Sequence, residues 1–193
     1  MVISSSNSYS NNNSDVVRIN SLNKINFKRL RQNGQIHIYQ SSFRGSYFSI
    51  IRDSLRNAAL GRKVLLVQFM KGGAKQGIAN PVKLCGNLTW VRSSHSFDQY
   101  HSEEIENNEN LKKSIQESTY ELWNFCKKEL LSGENDQIIL DEIFLAIEMK
   151  IIDKDDLIST LENRFISGDV ILTGTDIPKD LLLMANQITE LRS

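Results

Sequence analysis

The sequence predicts an α/β protein with a doubly wound, mainly parallel sheet and helices on both of its faces. Two observations lead to this prediction. Short β-branched or apolar runs alternate along the chain with segments of helical periodicity. Several of the runs are also almost continuously apolar, as in strands that are covered on both faces. The clearest of these are Lys63–Phe69, Gln137–Leu140 and Asp169–Thr173.

The first βαβ unit lies between Gln35 and Phe69. Gln35–Gln40 alternates β-branched and polar residues, which predicts a strand. Tyr47–Leu60 has apolar residues at helical spacing, and Gly61 is a favourable residue just past a helix end. Lys63–Phe69 then forms the second strand.

The remaining elements follow from the same rules. Asp153 is a favourable N-cap, and Gly133 and Gly174 are stop signals. In chain order we expect short strands at Val82–Cys85 and Leu88–Val91, a helix over Ser102–Leu131, a strand at Gln137–Leu140, a helix over Lys154–Phe165, a strand at Asp169–Thr173, a helix over Pro178–Asn186 and an edge strand at Gln187–Leu191.

The chain divides into residues 1–33 and a domain over residues 34–193. Ser4–Ser14 is almost entirely Ser and Asn, a composition that predicts a disordered tail. Asn23–Gln32 alternates basic and apolar residues. It is interpreted either as an arm that contacts the domain or a partner subunit, or as a solvated leader.

Composition excludes some classes of function. The chain has 193 residues, with 23 basic and 23 acidic side chains, and this balance argues against binding to nucleic acid or to a membrane surface. No apolar run approaches the length of a membrane span, and the N-terminus lacks a secretory pattern. The two cysteines have neither metal-site nor disulfide-framework spacing, so we expect a cytoplasmic protein.

The loop after the first strand is one candidate site. In an α/β sheet a strand, loop and helix at this place commonly bind phosphate through backbone N–H groups. Of the GxxxxGK[ST] pattern only the second glycine, Gly45, is present, and Ser46 and Tyr47 stand where Lys and Ser/Thr are needed. The alternative is an ordinary polar turn.

The second candidate site is Asp141-Glu142, which follows a buried strand. Carboxylates at the end of such a strand are the pattern that holds or orients Mg²⁺ in nucleotide-binding folds. The alternative is that these residues cap the next helix.

Several segments together resemble the P-loop ATP:corrinoid adenosyltransferases, and the resemblance covers Gly34–Arg192. The most distinctive segment is Leu60–Val64 followed by Val67–Gly72, which is similar to the family's G-x-x-V…V-Q-F-x-K-G. The other matching segments are Gly34–Tyr39 (first strand), Leu88–Trp90 (F-T-W), Ile139–Glu142 (V-L-D-E), Leu157–Leu161 (a helix) and Val170–Gly174 with Leu181–Arg192 (V-I-L-T-G…T-E-[LM]-R).

The resemblance implies a fold, a reaction and a set of site residues. The fold is P-loop NTPase-like, and the reaction transfers the 5′-deoxyadenosyl group of ATP to a Co(I) corrinoid with release of triphosphate. ATP and Mg²⁺ would be held by the first loop (Ser41, Ser42, Arg44, Gly45, Ser46 and Tyr47) and by the carboxylates, with Asp141 and Glu142 also acting catalytically. Trp90 and Leu88 would contact the corrinoid, and a homodimer is expected.

This chain departs from the family pattern in the first loop. Ser41 and Phe43 replace two glycines, Ser46 replaces the P-loop lysine, and Tyr47 replaces the hydroxyl residue that binds the metal. These losses predict weakened MgATP binding. Three functions therefore stay open: an active adenosyltransferase, a non-catalytic relative that binds a corrinoid, nucleotide or protein partner, and a structural protein.

Overall fold

The computed structural model of the chain describes residues 33–43, 47–72, 75–95 and 108–191. The strands of this part are β1 (Ile36–Ser41), β2 (Val64–Gln68), β3 (Val82–Leu84), β4 (Leu88–Arg92), β5 (Gln137–Asp141), β6 (Asp169–Gly174) and β7 (Gln187–Leu191). The helices are α1 (Phe48–Ala59), α2 (Glu109–Ser132), α3 (Ile143–Glu148), α4 (Lys154–Glu162) and α5 (Lys179–Met184). The tail and arm predicted over residues 1–33 fall, apart from Asn33, outside the described residues.

All seven strands belong to one sheet, in the order β3-β4-β2-β5-β6-β1-β7. Every neighbouring pair is parallel except β3 and β4, which are antiparallel. One strand, β6, separates β1 from β5, so the two candidate sites follow strands that are close but not adjacent. The architecture confirms the predicted mainly parallel, P-loop NTPase-like α/β fold.

Helices cover both faces of the sheet, as the sequence predicts. Side chains alternate along a strand, so Leu65 and Leu66 of β2 point to opposite faces. Leu66 packs in one hydrophobic cluster with Ala58 of α1. Leu65 packs in the other, with Trp123 of α2 and Leu157 of α4. No helix in the described part of the chain is both long and apolar enough to cross a membrane.

The helix ends agree with the predicted signals at three positions, one of which is Gly133, the C-cap of α2 with a φ of 71°. The Asp153 side chain accepts hydrogen bonds from two backbone N–H groups of α4 and is its N-cap. Gly61 follows α1 with a φ of 93°, in the left-handed region that glycine tolerates best. For α2, Asn108 is the N-cap, and the predicted start at Ser102 falls outside the described residues.

One helix prediction was wrong at its end, and one helix was not predicted. Helix α4 ends at Glu162 rather than at Phe165, because the Phe165 N–H turns away and donates to the Leu130 carbonyl at 3.0 Å. The sequence interpretation also missed α3, a short helix whose residues from Ile143 to Ile147 are all apolar. Such a run carries no amphipathic period, so the periodicity rule could not distinguish it from a buried strand.

Candidate functional site

The candidate site lies at the carboxyl edge of the sheet. Because β4, β2 and β5 are parallel neighbours, their last residues meet at this edge. Gln68 of β2 is in register with Arg92 of β4 on one side and with Asp141 of β5 on the other. A polar row of three side chains therefore crosses the end of an otherwise apolar core.

Asp141 is held by three side-chain donors. Its Oδ1 accepts from the Thr173 hydroxyl at 2.7 Å, and its Oδ2 accepts from Gln68 Nε2 at 2.7 Å and from Lys71 Nζ at 2.9 Å. The residue is only 2% exposed. A buried carboxylate requires such compensation, since its desolvation would otherwise be costly.

Glu142 lies beside Asp141 in a strained backbone conformation. Its φ of 60° and ψ of 30° are left-handed, which costs a non-glycine residue about 1–2 kcal/mol. Its backbone N–H donates to the Thr173 hydroxyl at 2.8 Å, and its Oε1 is 3.6 Å from Lys71 Nζ. This sharp turn from β5 into α3 brings two successive carboxylates to the same ammonium group.

Tyr47 is a core residue at the start of α1. It is 1% exposed, and its hydroxyl donates to the Gly174 carbonyl at 2.6 Å. The Lys71 ammonium lies 6.0 Å from the centre of its ring. Gly174 has no room for a side chain, because an added Cβ would lie 2.7 Å from Phe144. The phenol thus connects the helix after the first loop to the end of β6.

The buried position of Tyr47 predicts an unusual titration. Burial, followed by the charges of Asp141 and Glu142, raises the pKa of the Tyr47 hydroxyl from 10.0 to about 12. Burial and then the charge of Asp53 also raise the pKa of Tyr39, and Tyr47 is the tyrosine that we expect to be absent from the tyrosinate absorbance near pH 10. A Tyr47→Phe variant should leave that absorbance unchanged up to pH 11 and lose only a step above it.

The same shift has a defined effect on stability. The unfolded chain releases the Tyr47 proton near pH 10 and the folded chain near pH 12, so the stabilisation is complete below pH 10 and is lost as the pH rises towards 12. The titration should therefore be read only where circular dichroism reports a folded protein. A full tyrosine step near pH 10 that shrinks in Tyr47→Phe would contradict the expectation.

Trp90 is half-buried in β4 and points to the same polar row. Its Nε1 donates to Gln68 Oε1 at 3.0 Å. Arg92 Nε donates to the same oxygen at 2.8 Å, and its guanidinium carbon lies 4.7 Å from the centre of the indole ring. The indole is therefore fixed at one edge by a hydrogen bond and on one face by a cation.

Leu88 differs from its expected place. It is 1% exposed and packs in the hydrophobic cluster that contains Ala58, on the same face of β4 as Trp90. It pairs with Val64, the first residue of β2, and so lies at the amino end of β4, four residues before Arg92 at the carboxyl edge. Its side chain belongs to the core and does not line the edge where Trp90 lies.

The structure describes only part of the first loop. Ser41 is the last residue of β1, is 2% exposed, and its hydroxyl accepts from the Phe43 N–H at 3.2 Å. Ser42 is exposed. The predicted binding residues Arg44, Gly45 and Ser46 lie outside the described residues.

A cleft of about 400 Å³ adjoins the polar row at Arg92. It opens between the segment after β2, the segment after β4 and one face of α2. Its lining residues are Gly77, Ile78, Ala79, Arg92, Ser93, Ser94, Ser118, Glu121 and Leu122. Serine hydroxyls, a guanidinium and a carboxylate on an apolar floor suit a ligand with apolar parts and amide groups.

Asp141 and Glu142, the carboxylates at which the sequence predicts Mg²⁺, face an ammonium group in the described part of the chain. Both Asp141 oxygens already accept hydrogen bonds, and the cation beside the two carboxylates is the ammonium of Lys71. The Tyr47 hydroxyl is committed to Gly174 as a donor. No cluster of three or more His, Cys, Asp or Glu side chains that could hold a metal occurs in the part of the chain the structure describes.

Three residues of the site were not singled out from the sequence as site residues: Gln68, Lys71 and Thr173. Each lies at or just after the end of a strand, and each contacts Asp141. The sequence does contain a feature that could have identified two of them. Gln68 and Lys71 are polar residues within or beside an apolar strand, in the segment that most resembles the adenosyltransferases.

Comparison with known proteins gives one consistent result. The family model of the ATP:corrinoid adenosyltransferases BtuR/CobO/CobP matches residues 32–193. The Corrinoid adenosyltransferase of Escherichia coli strain K12 is 24% identical over 162 residues, covering 83% of this chain and 78% of that protein. Corrinoid adenosyltransferase CobA of Salmonella typhimurium is 24% identical, with 83% and 78% covered. An uncharacterized protein of Nostoc, all2391, is also 24% identical, with 84% and 44% covered.

Proposed function

Because the chain belongs to the ATP:corrinoid adenosyltransferase family, we propose that it transfers the 5′-deoxyadenosyl group of ATP to a Co(I) corrinoid. In this reaction Co(I) supplies the electron pair of a new cobalt–carbon bond to C5′. The C5′–oxygen bond breaks, and triphosphate leaves with that bonding pair. The relatives from Escherichia coli and Salmonella typhimurium carry the name of this activity.

One observation supports the proposal above the others. Trp90, which matches the family's corrinoid-facing aromatic segment, and Asp141, which matches its acidic strand end, share Gln68 as a hydrogen-bond partner. The residue proposed to contact the corrinoid and the residue proposed for the nucleotide side are therefore separated only by Gln68. They lie at the carboxyl edge, where ligands bind in open α/β sheets.

The residues present suggest how each substrate is held. We propose that the corrin ring meets the indole of Trp90, and that amide groups on its periphery enter the cleft beside Arg92. Lys71 offsets part of the negative charge of Asp141 and Glu142, which reduces the repulsion that a triphosphate meets there. No step of this proposal passes through Mg²⁺.

A second candidate function is corrinoid binding without turnover. Tyr47 favours it, because a buried phenol that donates to Gly174 stands where the family has a hydroxyl for the metal. In this second function Trp90 still contacts the corrinoid, and the first loop does not bind phosphate.

A single sample distinguishes the two functions. The protein is mixed with a corrinoid, a reductant that generates Co(I), and ATP, with and without Mg²⁺, and the visible spectrum is followed for the adenosylated product. We expect product formation, and the sample without Mg²⁺ tests whether the reaction needs the metal. A spectral change on corrinoid binding with no product would establish the second function. No change with any corrinoid would contradict both.

The remaining expectations concern the state of the protein. We propose that the chain acts as a homodimer in the cytoplasm, with Asn23–Gln32 as the arm that contacts the partner subunit. The alternation of basic and apolar residues in this segment supports that role. The balanced charge of the chain supports a partner other than nucleic acid.

A further inference from the structure

We infer that Gln68 is a positioning residue that holds the indole of Trp90 and the carboxylate of Asp141 in one fixed arrangement. The inference rests on the proposed function, in which Trp90 meets the corrinoid and Asp141 lies on the nucleotide side. Gln68 itself touches neither substrate in this assignment and acts through its two neighbours.

The geometry gives Gln68 partners on both sides. It is 1% exposed, and β2 places it between Arg92 of β4 and Asp141 of β5. Its Oε1 accepts from Trp90 Nε1 at 3.0 Å and from Arg92 Nε at 2.8 Å. Its Nε2 donates to Asp141 Oδ2 at 2.7 Å. One amide therefore joins three strands.

The chemistry of these partners permits only one orientation of the amide. Indole and guanidinium groups can only donate hydrogen bonds, and an ionised carboxylate can only accept them. A rotated Gln68 would face Trp90 with N–H groups and Asp141 with an oxygen, leaving buried polar atoms unsatisfied. The position of the indole is consequently tied to the position of the carboxylate.

Ionised glutamate keeps an acceptor for Trp90 but loses the donor to Asp141, and methionine loses both. Gln137 provides a matched control: it is also a buried glutamine, 6% exposed, but it lies at the opposite end of β5 and accepts from Asn57 Nδ2 at 3.0 Å.

The first measurement uses the ligand-free protein. The chain has two tryptophans, so an amide-type ¹H–¹⁵N spectrum contains two indole peaks, and Trp90→Phe identifies that of Trp90. We expect Gln68→Met to move the Trp90 peak upfield, because its hydrogen bond is lost. Gln68→Glu, recorded at high pH to ionise the new carboxyl group, should move it downfield, because the acceptor is then charged. Gln137→Met should leave it in place.

The second measurement is steady-state adenosylation. For both Gln68 variants we expect kcat to fall by about tenfold or more while the KM for ATP changes little, since orientation rather than binding is lost. Gln137→Met should keep the wild-type kcat. If Gln68 had only a structural role, its variants would lower the melting temperature as Gln137→Met does, without a fall in kcat at an unchanged KM for ATP.

Each outcome decides the inference. A Trp90 peak that stays in place in Gln68→Glu or Gln68→Met overturns it, whatever the activity, and so does a moved peak with an unchanged kcat. If Gln68→Met does not fold, Gln68→Glu carries both measurements. A wild-type protein without turnover refutes the enzymatic function alone, because the indole peaks still report whether Gln68 sets the position of Trp90.

Discussion

Replacement of Tyr47 by threonine is expected to lower the free energy of unfolding by about 3 kcal/mol, in the range of large-to-small core substitutions. The ring is 1% exposed and packs with Ile50 of α1 and Leu66 of β2, so threonine would leave a cavity. The substitution also removes the donor to the Gly174 carbonyl. Urea denaturation followed by circular dichroism measures the change.

Two control variants separate the contributions. Tyr47→Phe keeps the ring and removes only the hydrogen bond, so a loss of about 1 kcal/mol is expected. Tyr120→Thr changes the same residue type at a position that is 51% exposed, and its effect should stay within about 0.5 kcal/mol. A Tyr47→Thr protein as stable as Tyr120→Thr would mean that Tyr47 does not pack in the core.

This expected loss bears on the departure of the first loop from the family pattern. The resemblance places a small hydroxyl residue of the family at the position of Tyr47, whereas the Tyr47 side chain packs in the core and connects the start of α1 to the end of β6. Threonine at this position would therefore remove packing from the core before it could provide a phosphate or metal site.

Much of the fold could be predicted because local rules and tertiary packing agree. The continuous apolar runs of β2, β5 and β6 are what a strand covered on both faces requires. Asp153 caps the first turn of α4, and Gly61 adopts a left-handed conformation after α1. Both roles depend on neighbouring residues only, so they follow from the residue types alone. Helix α3 was not predicted, because the apolar run Ile143–Ile147 gives it no amphipathic period.

The site was harder to predict because its contacts cross the sheet. Asp141 could be singled out as a buried carboxylate after a strand, but its partners Gln68 and Thr173 come from two other strands. Residues so far apart in the sequence cannot be identified as neighbours until strand order and register are known. Tyr47 could not be predicted for a different reason. Comparison with the P-loop pattern shows only that a Ser or Thr is missing at this position, and does not show that the tyrosine ring packs in the core.

The largest effect on function is expected from Trp90→Ala. A half-buried aromatic side chain at the centre of a binding site commonly contributes 2 kcal/mol or more, so we expect adenosylation to fall by about 30-fold or more. The variant should also abolish the change that wild-type protein produces in the visible spectrum of a Co(II) corrinoid. One spectrophotometric sample gives both the adenosylation rate and the spectral change on corrinoid binding.

The two other aromatic variants define what the indole does. Trp90→Phe keeps an aromatic face beside Arg92 but loses the N–H that donates to Gln68, so it should retain part of the spectral change. Trp123→Phe changes the fully buried tryptophan of α2, whose Nε1 donates to Asp156 at 2.8 Å, and should lower stability without altering the corrinoid spectrum. If Trp90→Ala retained the wild-type spectrum and rate, the corrinoid would have to bind elsewhere, because Leu88, the other residue of that segment predicted to contact it, is enclosed in the core.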